Sequence, residues 1–126
     1  MQGTVISIID DNASIRVAVE RLLKSMGFAV HAFSSASEFL GSPRLKDTRC
    51  IVADVEMPGM SGLELQDHLV ARGANIPVIF ITAFAEDQIR ERAMKGGAVC
   101  FLSKPFDEAQ LLECVRRTLK GDGERA

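Results

Sequence analysis

The chain has 126 residues, of which 47% are apolar and 25% charged, and its net charge is −2. That length suits one domain around a single core, and the lack of a basic excess removes the electrostatic case for this segment contacting nucleic acid directly. No apolar run approaches the roughly 20 residues that cross a bilayer, and the opening MQGTVISIIDD lacks a charged first region and reaches acid early, so it does not read as a signal peptide.

Val5–Ile9 opens the chain as a strand. Ile15, Ala18, Val19, Leu22, Leu23 and Met26 then form one stripe of a helix that Gly27 can close. Phe28–Phe33 reads as a second strand, and SSASEFLGSP as a short helix capped by Ser34 or Ser35 and stopped by Gly41 and Pro43. The third strand is Cys50–Ala53, after which Ser61 and Glu64 have the spacing of a capping box. Val78–Ile81 follows as the fourth strand, then a helix over about residues 86–95 that ends at Gly96–Gly97. Val99–Leu102 is the fifth strand. Asp107 with Gln110 opens a last helix whose inner face is Leu111, Leu112, Val115 and Leu119. We read residues 1–120 as one domain and the polar remainder, 121–126 (GDGERA), as a linker start or frayed end.

Several of the apolar runs are apolar at consecutive positions, which suits strands covered on both faces. Five βα units joined by right-handed crossovers give an α/β fold: a doubly wound, five-stranded parallel sheet with helices on both sides. The three cysteines, Cys50, Cys100 and Cys114, lie in apolar surroundings without C-x-x-C spacing. They read as buried reduced thiols of a cytosolic protein, with a metal or redox site as the alternative.

The polar residues at strand ends are the informative ones. The first strand ends in Asp10–Asp11, the third in Asp54 and the fourth in Thr82, and Lys104 lies just beyond the fifth. In an open α/β sheet this carboxyl-terminal edge is where ligands bind. Alone, Asp10, Asp11 and Asn12 could cap the first helix, Asp54 could form a turn, and Lys104 could be a solvated charge. Together, three carboxylates repel one another and are best accommodated by a cation. Hard oxygen donors without histidine or thiol favour Mg²⁺, which keeps room for phosphate oxygens. Thr82 and Lys104 would meet the remaining charge of a phosphoryl group, and a carboxylate so placed can form an aspartyl phosphate.

The segments IIDDN, ADVEMPGMSG, FITAF and CFLSKPF resemble the motifs of bacterial two-component response-regulator receiver domains, in matching order over residues 4–119. MPGMSGLEL and the switch-position phenylalanine are similar to the FixJ-type transcription-factor branch. The resemblance implies a flavodoxin- or CheY-like fold with strand order 2-1-3-4-5. It further implies that Asp54 accepts phosphate from a sensor histidine kinase. Asp10, Asp11, Asp54 and the Glu56 backbone carbonyl would hold Mg²⁺. Thr82 and Lys104 would contact the phosphoryl group, Lys104–Pro105 would be a cis peptide, and Phe101 would move inward with Thr82. Helix 4, strand 5 and helix 5 would form the surface that controls an output, with Val99, Phe101, Arg90, Lys95, Arg116 and Arg117 on it. The implied context is a cytoplasmic regulator without turnover of an external substrate. It allows either a DNA-binding output domain beyond this chain or a single-domain protein. It allows a homodimer on phosphorylation, with a plain solvated charged face as the alternative, and implies no membrane contact.

Three features bear on the alternatives. Asn12 stands where many receivers have a third acid, and Glu56 and Phe84 lie near the path of a water attacking the phosphoryl group. A Mg²⁺-dependent phosphatase with an aspartyl-phosphate intermediate would place a second Asp at position 56 and add a substrate cap. A flavodoxin-like nucleotide binder would need a glycine- or hydroxyl-rich loop in place of DDNAS. A receiver in shape alone, without phosphorylation, has the same sequence pattern.

Overall fold

Ile6 and Ile8 of β1 (Val5–Ile9) pack to one side of the sheet and Ile9 to the other, and all three are buried. The computed structural model describes residues 4–83 and 85–125, with side chains described as far as Leu119. The same two-sided burial recurs in β3 (Thr48–Ala53), β4 (Val78–Thr82) and β5 (Cys100–Ser103), which explains their unbroken apolar runs. With β2 (Ala29–Phe33), the strands form one parallel sheet in the order β2-β1-β3-β4-β5. The expected topology is therefore present.

Helices α1 (Ala13–Ser25) and α5 (Glu108–Arg125) cover one face. There Val19 and Leu23 of α1, with Leu111 and Val115 of α5, pack against Ile6, Ile8, Val52, Ile79 and Ile81. On the other face, α2 (Ala36–Leu40), α3 (Gly62–Ala71) and α4 (Asp87–Lys95) supply Phe39, Leu65, Leu69 and Ala93 against Ile9, Ile51, Phe80 and Phe101. Each fully buried large side chain contributes about 2 kcal/mol of apolar transfer energy.

The caps act at the expected places. Asn12 Oδ1 accepts the Ile15 N–H at 3.1 Å, and Ser35 Oγ accepts the Glu38 N–H at 3.1 Å. Ser61 and Glu64 form the full reciprocal box. Asp107 Oδ1 accepts from Ala109 and Gln110. Gly27 and Gly97 leave their helices with φ of +94° and +102°, where a side chain would be strained.

The structure departs from the sequence reading in four places. Ala18 and Met26 are exposed, so the inward stripe of α1 is Ile15, Val19, Leu22 and Leu23. A 3-10 helix over Pro43–Asp47, capped by Ser42, feeds β3, which starts earlier, at Thr48. The buried Thr48 hydroxyl meets that of Ser7 at 2.7 Å, satisfying both polar groups inside the sheet. Helix α5 runs on to Arg125, past the inner face read as far as Leu119. Finally, Cys100 and Cys114 are joined as a disulfide, their Cα atoms 6.3 Å apart, whereas all three thiols were expected reduced. They meet because Cys100 faces the α1/α5 layer and Cys114 shares the inner face of α5 with Leu111 and Val115. Cys50 remains a buried thiol in β3. Among the described residues, no helix is long and apolar enough to cross a membrane.

Candidate functional site

Asp10 and Asp54 stand one residue past the ends of β1 and β3, still tied to the sheet. The Asp10 N–H donates to Phe33 O at 3.1 Å, and the Asp54 N–H donates to Ile9 O at 3.0 Å. Their carboxylates therefore sit on the rigid end of the sheet. Both residues are buried, at 3% and 6% exposure, while Asp11 is exposed. Asn12 alone performs the capping considered for the three-residue run, which leaves Asp10 and Asp11 available to the rim. Lys104 is held by its N–H to the Thr82 carbonyl at 2.8 Å, and Thr82 is fully buried at the end of β4.

Asp10, Asp11 and Asp54 each bring a carboxylate oxygen within 4.8 Å of the others. Lys104 Nζ lies 2.9 Å from Asp54 Oδ2 and 3.0 Å from Asp10 Oδ2, a nearly buried bridge between two acids. Burial pushes the Asp10 carboxyl above its ordinary value of 3.8. The Asn12 N–H and Lys104 oppose this, and the Asp54 charge adds to it. Burial works to lower the Lys104 ammonium, but hydrogen bonds to Asp54 and Asp10 outweigh it and hold the group above 10.5. One ammonium does not balance three carboxylates. The donor set is all oxygen, and it fits a hard divalent cation.

The rim is braced by two further donors, one of them on Arg16, which the sequence reading did not single out. Arg16 Nη1 donates to the Asp10 carbonyl at 2.7 Å, and the Glu56 N–H to Asp54 Oδ1 at 3.2 Å. Gly62 opens α3 against the Asp54 backbone: a Cβ there would run into the Asp54 carbonyl oxygen and come within 2.9 Å of the Phe80 ring. Nothing local in the PGMSG segment marks this role, which only the tertiary contact exposes. Gly62→Ala is expected to destabilise the domain by about 2 kcal/mol, since close-packed sites resist added volume. Urea unfolding measures this. An unchanged midpoint would show that α3 can shift without cost.

The structure thus brings together Asp10, Asp11, Asp54, Thr82 and Lys104 at one edge, with Glu56 exposed beside Asp54. The Lys104–Pro105 peptide is cis. Phe84 lies outside the described residues. Phe101 is buried at 5% and tilted against Phe80 with ring centroids 6.4 Å apart. The Arg90 guanidinium lies over its ring, 5.1 Å from the centroid. Among the described residues of α4, β5 and α5, the exposed large apolar side chain is Met94, at 44%, while Phe101 is buried.

Comparison with known proteins agrees with this geometry. Residues 6–116 match the family described as Response regulator receiver domain. Nodulation protein W of Bradyrhizobium diazoefficiens is 42% identical over 121 residues, covering 96% of this chain and 53% of that protein. Transcriptional regulatory protein FixJ of Azorhizobium caulinodans is 43% identical, covering 95% of this chain and 57% of that protein. The chain thus spans about half the length of these curated relatives. Among solved structures, the response regulator StyR superposes with a TM-score of 0.87 at 44% identity, over 96% of this chain and 61% of that one. The FixJ-N crystal structure gives 0.83 at 38% identity, over 94% of each chain. With the sheet order, the acidic rim and the sequence match in agreement, this chain belongs to the response regulator receiver domain family.

Proposed function

We propose that this domain is a phosphorylation switch in which Asp54 accepts a phosphoryl group from the phosphohistidine of a sensor histidine kinase. The observation that supports this most directly is the Asp54 carboxylate, fixed at a strand tip, with Asp10 and Asp11 within 4.8 Å and Lys104 Nζ at 2.9 Å. In the transfer, an Asp54 oxygen attacks phosphorus, the phosphorus–nitrogen bond to the kinase histidine breaks, and an acyl phosphate forms on Asp54. Glu56 N–H holds Oδ1 and so orients the carboxylate for attack. Lys104 exchanges its contact with Asp54 for a phosphoryl oxygen, and Thr82 approaches the same group from the end of β4. Asp10, Asp11, Asp54 and the Glu56 carbonyl would hold Mg²⁺, which when bound neutralises the developing charge between carboxylates and phosphoryl oxygens.

The output follows from the same edge. Thr82 and Phe101 occupy neighbouring strands, with Phe80 pairing Phe101 in register. Movement at Thr82 would then be felt at Phe101, Arg90 and the α4–β5–α5 surface. The family match over residues 6–116 supports a receiver over residues 1–120. The relatives' additional length, and the name transcriptional regulatory protein that one of them carries, support an output domain controlling transcription, which we place after residues 121–126 as a DNA-binding domain. The domain itself would act in the cytoplasm, turn over no external substrate, contact neither DNA nor membrane, and pair with a second copy when phosphorylated.

Acetyl phosphate tests the chemistry without the kinase. The protein is expected to gain one phosphoryl group in intact mass spectra with Mg²⁺ and to gain none after chelation. No gain under either condition would make the rim structural and the domain a receiver in shape alone.

A further inference from the structure

Cys100 begins β5 and Cys114 lies on the inner face of α5, with their sulfur atoms joined across the contact between strand and helix. A Cα separation of 6.3 Å lies within the range that a disulfide spans without moving the backbone. Both cysteines are nearly buried, yet both line one groove with Arg90, Met94, Glu113 and Arg117, so a reagent reaches them from the α4–β5–α5 surface. Arg117 Nη2 sits 3.0 Å from the Cys100 sulfur and 3.8 Å from that of Cys114. A guanidinium in that position places a positive charge beside whichever sulfur attacks or leaves during thiol–disulfide exchange. It also opposes a metal cation, which two sulfurs beside an arginine would hold poorly. In a reducing compartment such as the one proposed above, a protein disulfide is usually transient and regulatory.

From these observations we infer that Cys100 and Cys114 form a reversible redox site, oxidised by a low-molecular-weight disulfide such as glutathione disulfide, that clamps α5 to β5. In the first step one cysteine thiolate attacks a glutathione sulfur. The glutathione S–S bond breaks, one glutathione thiolate leaves, and a mixed disulfide forms. In the second step the other cysteine attacks the protein-side sulfur and releases the second glutathione. Two protons and two electrons pass from the protein to the two glutathione molecules. The clamp is made on the side of β5 opposite Phe101, on the strand and helix of the proposed output face. It requires no phosphoryl transfer, so it stands or falls separately from the function of Asp54.

The test is to incubate the folded chain with reduced or oxidised glutathione, quench with acid, denature, and alkylate the remaining thiols. The expected result in oxidised glutathione is alkylation at Cys50 alone, with loss of two hydrogens from the protein. Cleavage after Glu108 and Glu113 should then yield a fragment pair linked through Cys100 and Cys114. Dithiothreitol should restore three alkylation sites, and Cys114→Ser should remove the link. The bond closes a loop of sequence separation 14, so the oxidised protein should melt roughly 10 °C above the reduced one. Alkylation of all three cysteines after oxidation, a lasting glutathione adduct without closure, or a link that includes Cys50 would each overturn the inference.

Discussion

Replacing Asp54 with Asn is expected to abolish phosphoryl uptake from acetyl phosphate while leaving the fold intact. An amide oxygen lacks the charge and nucleophilicity of a carboxylate, so no acyl phosphate can form. The structure indicates why folding should survive. Asn keeps an oxygen for the Glu56 N–H that now reaches Asp54 Oδ1 at 3.2 Å. Lys104 keeps its 3.0 Å partner in Asp10. The substitution also removes the Asp54 charge, which adds to the burial that chiefly holds the neighbouring Asp10 carboxyl up. Thermal unfolding should therefore shift by no more than a few degrees, beside an uptake that falls to background in mass spectra. If the variant gained the same mass as the wild type, the acceptor would have to be another acid of the rim, Asp10 or Asp11.

That site was legible because its residues are placed by strand ends, and strand ends can be read locally. Asp54 interrupts an apolar run, and the parallel topology sends every strand's last residue to one edge. The roles of Asp10, Asp11 and Asn12 were harder to separate. All three can cap a helix, and only the 3.1 Å bond from Ile15 to Asn12 divides the run into one cap and two rim acids. An aromatic on an edge strand, such as Phe101, can face either layer, and sequence alone does not choose between them. The structure turns it toward Phe80 and, among the described residues of that surface, leaves Met94 as the exposed large apolar side chain.

What remained hidden in the sequence depends on contacts between distant segments. Ser7 reads as a polar break in β1 until Thr48, 41 positions away, supplies its partner. Gly62 reads as loop chemistry until the Asp54 backbone fills the space beside it. Cys100 and Cys114 follow no spacing rule, because the packing of α5 on β5 brings them together. The continuation of α5 through Gly121 and Gly123 also opposes local preference, by about 1 kcal/mol per glycine. Propensity is a weak prior once a helix is nucleated, because propagation gains one hydrogen bond for each residue fixed.

Lys104→Met is expected to lower stability at neutral pH by about 2–3 kcal/mol, or roughly 10 °C in melting temperature. Methionine retains most of the apolar stem, so the loss should come from charge. Without the ammonium, Asp10 and Asp54 keep their burial and mutual repulsion but lose the cation that lies 3.0 and 2.9 Å from them. The cost falls below that of a fully buried pair because the rim opens toward solvent, with 14% of the Lys104 side chain exposed. The sign with pH follows from Asp10, already held above 3.8 by burial. Removing Lys104 raises it further, so the folded variant binds a proton that the unfolded chain releases. The deficit relative to wild type should therefore shrink as pH falls from neutrality through the raised range toward 3.8. Added Mg²⁺ should shrink it at constant pH, by supplying the missing positive charge at the same oxygens. Acid and metal would then relieve one electrostatic fault by independent routes. A loss of stability that neither relieves would assign Lys104 a packing role, and the balance of charge at the rim would have to be sought elsewhere.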